Sequence, residues 1–198
     1  LFEQMAFSIP LQVLSSVVVA ILLAALALRT LIRRRPPHIQ NGCWRGQLDL
    51  PLGRGLLNLY TRAFVAAHGI FALRSPETIY FSAPMDSAGK RLRCGATYCI
   101  RGRDPDARWW SLTAYKHEHL IPNVLNRYSF SRTTIGRSAD GSWRIYMSPR
   151  HQPENWLPTG EPSGHLTLLL RLYNPGPEAL SSPGKIQLPE IVELEEAS

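Results

Sequence analysis

A chain of 198 residues, 44% of them hydrophobic, is long enough for one domain of ordinary size and an appendage, and its near-average composition excludes a disordered or fibrous protein. Sixteen Pro and fourteen Gly, set among five Trp and seven Tyr, point to many turns with aromatic runs between them. The net charge of +7 is uneven: Arg29, Arg33, Arg34 and Arg35 stand together, and without these four the rest carries only +3. No basic cluster is left for a folded nucleic-acid surface, so no nucleic-acid partner is expected.

Taken in chain order, the first element is apolar. From Gln4 to Leu28 there is no charged side chain, and Val17 to Leu28 is aliphatic but for alanine. About 20 apolar residues span a bilayer, so residues 1–35 are predicted to form a single transmembrane α-helix with a basic flank, and the lipid bilayer is its first partner. Ser15 and Ser16 fit inside a helix by bonding carbonyls one turn back. A cleaved signal peptide is disfavoured, because the only charged side chain before the apolar run is Glu3 and the segment ends in Arg and Pro. Ala20, Ala24 and Ala27 give this helix a strip of small residues suited to packing on another membrane helix. The Arg cluster follows the apolar run, so the positive-inside rule puts the remainder in the cytoplasm. Pro36-Pro37 ends the helix, and residues 36–42 read as a linker.

Residues 43–193 read as one folded domain, with 194–198 as a tail. Apolar residues from Leu56 to Leu73 recur at three- and four-residue steps, which predicts one helix covering a sheet. Thereafter the period is two. Strands are expected at Thr78–Ser82, Leu92–Arg101, Trp109–Tyr115 and Trp143–Met147, with an extended segment at Arg127–Thr134. Met85–Gly89 and Asp140-Gly141 are turns, and 152–164 is a Pro/Gly-rich loop. His165–Tyr173 is the clearest strand, with Leu166, Leu168, Leu170 and Leu172 on one face and Thr167, Leu169, Arg171 and Tyr173 on the other. The end of the chain, past Pro183, is expected to be extended and partly mobile. The whole is a mainly β, antiparallel sandwich of jelly-roll type with one covering helix.

The residues that carry chemistry elsewhere are thinly represented. There is no nucleophile elbow, no phosphate-cradling glycine loop and no cysteine pair at zinc spacing. Cys43, Cys94 and Cys99 read most simply as small buried hydrophobes, although a bond from Cys43 to either of the others stays open. His117 and His119 would share one face of a strand, making a weak metal pair that lacks evident third and fourth ligands. No cofactor is called for. What remains is a polar and aromatic set: Asn126, Arg127, Tyr128, Asn155, Trp156, Arg171 and Tyr173. Arg171 is the sharpest member, because a charge amid an apolar strand must be paired or face a wet groove. Two uses are open for the set. It lines a ligand cleft, or its Arg and Asn side chains bond loops to the sandwich.

Five ordered motifs complete the reading: Trp109–Tyr115, Asn123–Ser129, Ala139–Ser142, Asn155–Pro158 and Leu170–Pro175, with Asn41–Trp44 ahead of them. Together they resemble the DUF1214 domain, often the C-terminal half of DUF1254 proteins. That resemblance implies a jelly-roll-like sandwich of bacterial origin, assigns no activity, and implies an exported or envelope-associated protein, against the charge rule. The expected function is a membrane-anchored, non-catalytic accessory subunit bound to another membrane protein in the bacterial inner membrane. The alternative is an envelope protein that binds or converts a small carboxylate- or sugar-bearing molecule.

Overall fold

In a computed structural model the described residues are 2–33, 38–47, 76–117, 119–160 and 163–194. The chain divides into two compact units, Leu1–Pro36 and Pro37–Ser198.

The first unit is one helix, α1 (Phe2–Arg33), of 32 residues. Its side chains are described at 12–26 and 29, and all of these are exposed. Val13, Leu14, Val17, Val18, Val19, Ile21, Leu22, Leu23 and Leu26 are each about half to two-thirds accessible, so no face is covered within this unit. Ser15 and Ser16 both donate their hydroxyls to the Gln12 carbonyl, at 2.9 and 2.7 Å, as the sequence leads one to expect. Among the described residues, no helix is long and apolar enough to cross a membrane.

The second unit is mainly β. Its strands are β1 (His38–Asn41), β2 (Trp44–Gln47), β3 (Thr78–Ala83), β4 (Thr97–Gly102), β5 (Ala107–Lys116), β6 (His119–Leu120), β7 (Ser129–Ser131), β8 (Trp143–Ser148), β9 (Trp156–Pro158), β10 (Leu166–Pro175) and β11 (Glu190–Leu194). They form two open sheets. The larger runs β1-β2-β3-β10-β5-β6, with β7 also on β5, and the smaller runs β11-β4-β8-β9. Every pairing is antiparallel except β8 with β9.

The core lies between the sheets and follows from alternation. Leu166, Leu168, Leu170 and Leu172 of β10 are at most 1% exposed, next to Phe81 of β3 and Trp110, Leu112 and Ala114 of β5. From the smaller sheet come Tyr98, Ile100, Trp143, Ile145, Met147 and Ile191. Trp110 stacks on Trp143 with ring centroids 5.0 Å apart, joining the two sheets by their largest side chains. Gly46 must lack a side chain, because a Cβ there would meet the Phe81 ring at 2.7 Å.

Several expectations need correction. The strand expected over Leu92–Arg101 starts only at Thr97. Before it the chain turns at Gly95, and the Arg93 N–H donates to Tyr98 Oη at 3.2 Å rather than to a strand. The loop expected over 152–164 holds β9, which pairs with β8. The stretch read as a linker contains β1, whose Asn41 amide donates to the Pro183 and Ile186 carbonyls. Past Pro183 the described residues are tied to the unit as far as Leu194: Trp44 Nε1 donates to the Pro189 carbonyl at 2.7 Å, and β11 lies extended along β4. A short helix, α2 (Pro177–Ser181), follows β10. It starts because the Asp106 carboxylate accepts from the Glu178 and Ala179 N–H groups, both at 3.1 Å, and Pro177 fits the first turn. The helix expected over residues 56–73 lies outside the described residues.

Candidate functional site

The polar and aromatic residues singled out in the sequence sit in three places. Asn155 and Trp156 are at the start of edge strand β9 of the smaller sheet. Asn155 adopts φ +38, and all of its amide is used by backbone. Its Oδ1 accepts from the Gly136 N–H at 2.9 Å, and its Nδ2 donates to the Gly136 and Arg144 carbonyls, both at 2.8 Å. Trp156 Nε1 donates to the Ser148 carbonyl at 3.0 Å, and its ring meets His151 edge-on at 4.9 Å. Asn155 fastens the β7–β8 connection to the sheet edge, and Trp156 ties β9 to the end of β8 and to the β8–β9 connection.

Asn126, Arg127 and Tyr128 lie in the loop between β6 and β7. Asn123 organises this loop, accepting from the Leu125 and Arg127 N–H groups and donating to the Ile121 and Arg127 carbonyls. Asn126 is at φ +50 and takes the Tyr128 hydroxyl at 3.3 Å, while the Arg127 guanidinium lies 5.3 Å from the Phe130 ring centroid. Val124 at the tip is 91% exposed.

Arg171 and Tyr173 occupy the third place, the face of the larger sheet turned away from the core. The pairing register sets Tyr80, Arg171, Ser111 and Ser131 in one row across β3, β10, β5 and β7. The next row holds Arg45, Ser82, Leu169, Thr113 and Ser129. Arg171 donates to Thr113 Oγ1 at 3.1 Å and to Tyr115 Oη at 2.7 Å, and its Cζ lies 5.8 Å from the Tyr115 ring centroid. Tyr173 contacts Trp109 at 5.1 Å between centroids. Thr78, Ser111, Thr113 and Ser131 on this face are buried although polar, and Arg45 Nε and Thr78 Oγ1 are buried without a hydrogen-bond partner. Ion pairs elsewhere in the unit use Arg93, Arg101, Arg103, Arg132 and Arg137; among the described residues none includes Arg45 or Arg171.

Sequence reasoning found Arg171 from its place in an apolar strand. It missed Thr113, Tyr115, Tyr80 and Arg45, whose only signal is cross-strand register between segments far apart in the chain. The histidine pair is also corrected. Lys116 is paired with His119, so β5 ends before His117, which lies in a turn at φ +49, and both histidines are exposed. They therefore do not share a strand face, and among the described residues no group of three metal-ligating side chains exists. The cysteines are free thiols, and burial pushes all three above the ordinary value of 9.0. On the smaller sheet's side, the Ser142 hydroxyl bonded to Asp140 holds that exposed carboxyl below its usual range.

The class defined by these features is a two-sheet β protein whose larger sheet turns a polar, arginine-bearing face away from the core. Residues 77–177, just over half of the chain, match the model of the family DUF1214, a protein of unknown function, and the chain belongs to that family. Among solved structures, the VPA0106 protein from Vibrio parahaemolyticus is 26% identical with a TM-score of 0.57 over 70% of this chain. An uncharacterised protein from Burkholderia cenocepacia is 15% identical with a TM-score of 0.41 over 64%. This chain spans about a third of the length of each, 35% and 32%. Comparison with curated proteins gave no match.

Proposed function

We propose that the chain is a membrane-anchored, non-catalytic accessory module of the bacterial cytoplasmic membrane. Its helix lies in the bilayer against a helix of a partner membrane protein, and its β unit caps or recruits that partner. The observation that carries this reading is the character of α1: a 32-residue helix whose described aliphatic side chains are exposed on every side. Its uncharged run from Gln4 to Leu28 is about 37 Å long at 1.5 Å per residue, enough for a hydrocarbon core of about 30 Å. Water is a poor solvent for such a surface and lipid a good one.

The partner helix finds its seat on the small-residue strip. Ala20 and Ala24 are exposed, and Ala20 lies in a shallow groove lined also by Ser15, Ser16, Val19 and Leu23; the side chain of Ala27 is outside the described residues. The Arg29 to Arg35 cluster favours a cytoplasmic β unit. For the fold, the finer jelly-roll reading is supported by two open sheets enclosing one core and by the family's implied architecture.

Extraction in mild detergent followed by size measurement tests the function. Wild type is expected in a complex larger than the chain alone, and Ala24→Leu is expected to release it. Wild type running only as a monomer contradicts the proposal. The side of the membrane is read by labelling Cys43, the least buried of the three thiols, with a maleimide that cannot cross membranes; labelling in intact spheroplasts contradicts a cytoplasmic β unit.

A further inference from the structure

We propose that the outer face of the larger sheet is a binding site for a small, flat carboxylate, held by Arg171 with Arg45 as a second cation at its edge. This goes beyond the anchoring role and does not depend on it.

The argument begins with charge. A guanidinium held partly out of water needs a counter-ion or a full set of acceptors. Arg171 is half-buried at the centre of the sheet, and of its five N–H groups two have acceptors, the hydroxyls of Thr113 and Tyr115. Both acceptors are neutral. Arg45 is likewise part-buried, and its Nε–H has no acceptor at all. Elsewhere in the unit the pattern differs: Arg93, Arg101, Arg103 and Arg137 each donate to a carboxylate at 2.7 to 3.1 Å. Arg45 and Arg171 are the part-buried arginines left without an acid among the described residues; Arg91, Arg108, Arg127 and Arg144, which also pair with none, are exposed.

Geometry then selects the anion. Thr113 and Tyr115 lie on the same strand two residues apart, so their hydroxyls fix the Arg171 fork in one orientation against the Tyr115 ring. A fixed planar fork matches a carboxylate through two parallel bonds. The flanking surfaces are flat. Tyr80 is directly across from Arg171 on β3, and the Tyr173–Trp109 pair lies two residues along. Ser111 sits beside Arg171 on β5, adding a short hydroxyl rather than a bulky side chain. A ligand with a carboxylate on an unsaturated ring satisfies the cation and covers the rings together.

Benzoate is the probe, titrated into the full-length chain in mild detergent and followed by ligand-observed NMR, with benzamide as the uncharged match and inorganic phosphate as a second anion. Benzoate is expected to bind saturably, and benzamide and phosphate at least about tenfold more weakly. Arg171→Gln should weaken benzoate about ten- to a hundredfold with the melting temperature unchanged, and Arg171→Lys should restore only part of the loss. If Arg171→Gln does not fold, Arg45→Gln carries the test, with an expected loss of about three- to tenfold. No saturable benzoate binding by wild type overturns the proposal. So does benzoate binding that survives in Arg171→Gln or, where that variant is unfolded, in Arg45→Gln. Phosphate binding as tightly as benzoate contradicts the carboxylate class.

Discussion

Helix α1 and the β unit are built from the same apolar residue types and treat them in opposite ways. In the β unit Leu112, Leu166, Leu168, Leu170 and Ile145 are at most 1% exposed. In α1 Leu14, Ile21, Leu22, Leu23 and Leu26 are 59 to 63% exposed. One unit hides its aliphatic surface by folding it inward, and the other holds it outward over several turns. The β unit answers the hydrophobic effect internally; on the proposed reading α1 answers it by lying in lipid.

That contrast can be broken at several points, beginning with the largest effect. Trp110→Ala removes one half of the tryptophan stack between the sheets and should lower stability by about 3 to 5 kcal/mol, measured by urea denaturation. The same kind of truncation in α1, Leu22→Ala, should leave the melting of the β unit unchanged. A charge in α1 should act on location instead: Leu22→Arg is expected to cost about 3 kcal/mol of insertion and to shift protein from the membrane to the soluble fraction. Asn155→Ala leaves one N–H and two carbonyls without their partner and should cost about 1 to 2 kcal/mol by thermal melting, with no effect on benzoate binding. It is the counterpart of Arg171→Gln, which should change binding and spare melting. Asp106→Ala uncaps α2 and should cost about 1 kcal/mol.

The smallest effect is on pH dependence. Burial raises the folded-state pKa of Cys94 and Cys99 above the ordinary thiol value of 9.0. The stability this confers is complete below 9.0 and is lost as pH rises through the raised folded values, because only the unfolded chain ionises freely. Urea midpoints should therefore fall between pH 8 and pH 10.5, and less so in Cys94→Ala.

How far the sequence discloses this structure depends on the range of the interaction involved. β10 was legible because alternating leucines are a local pattern, and α1 because its uncharged run is one too. β9 was not, since its three residues pair in parallel with a strand that ends eight positions earlier, and nothing local marks that. The start of α2 depends on a carboxylate 72 residues upstream, and the anchoring of Ile186 and Pro189 on Asn41 and Trp44, each 145 residues upstream. The site follows the same division. Arg171 was visible as a charge out of place, whereas its partners Thr113 and Tyr115 became visible only once β5 and β10 were in register. For Asn155 the sequence left a ligand contact and a loop-bonding role open, and the structure shows the second, its amide closing backbone bonds to residues 136 and 144.

Washing membranes from cells that make the full-length chain with alkaline carbonate tests the account most directly, because it strips peripheral proteins and spares those with a helix in lipid. The chain is predicted to stay with the membrane pellet, and to leave it only when detergent is added. Its recovery in the soluble fraction without detergent contradicts the assignment of α1 to lipid.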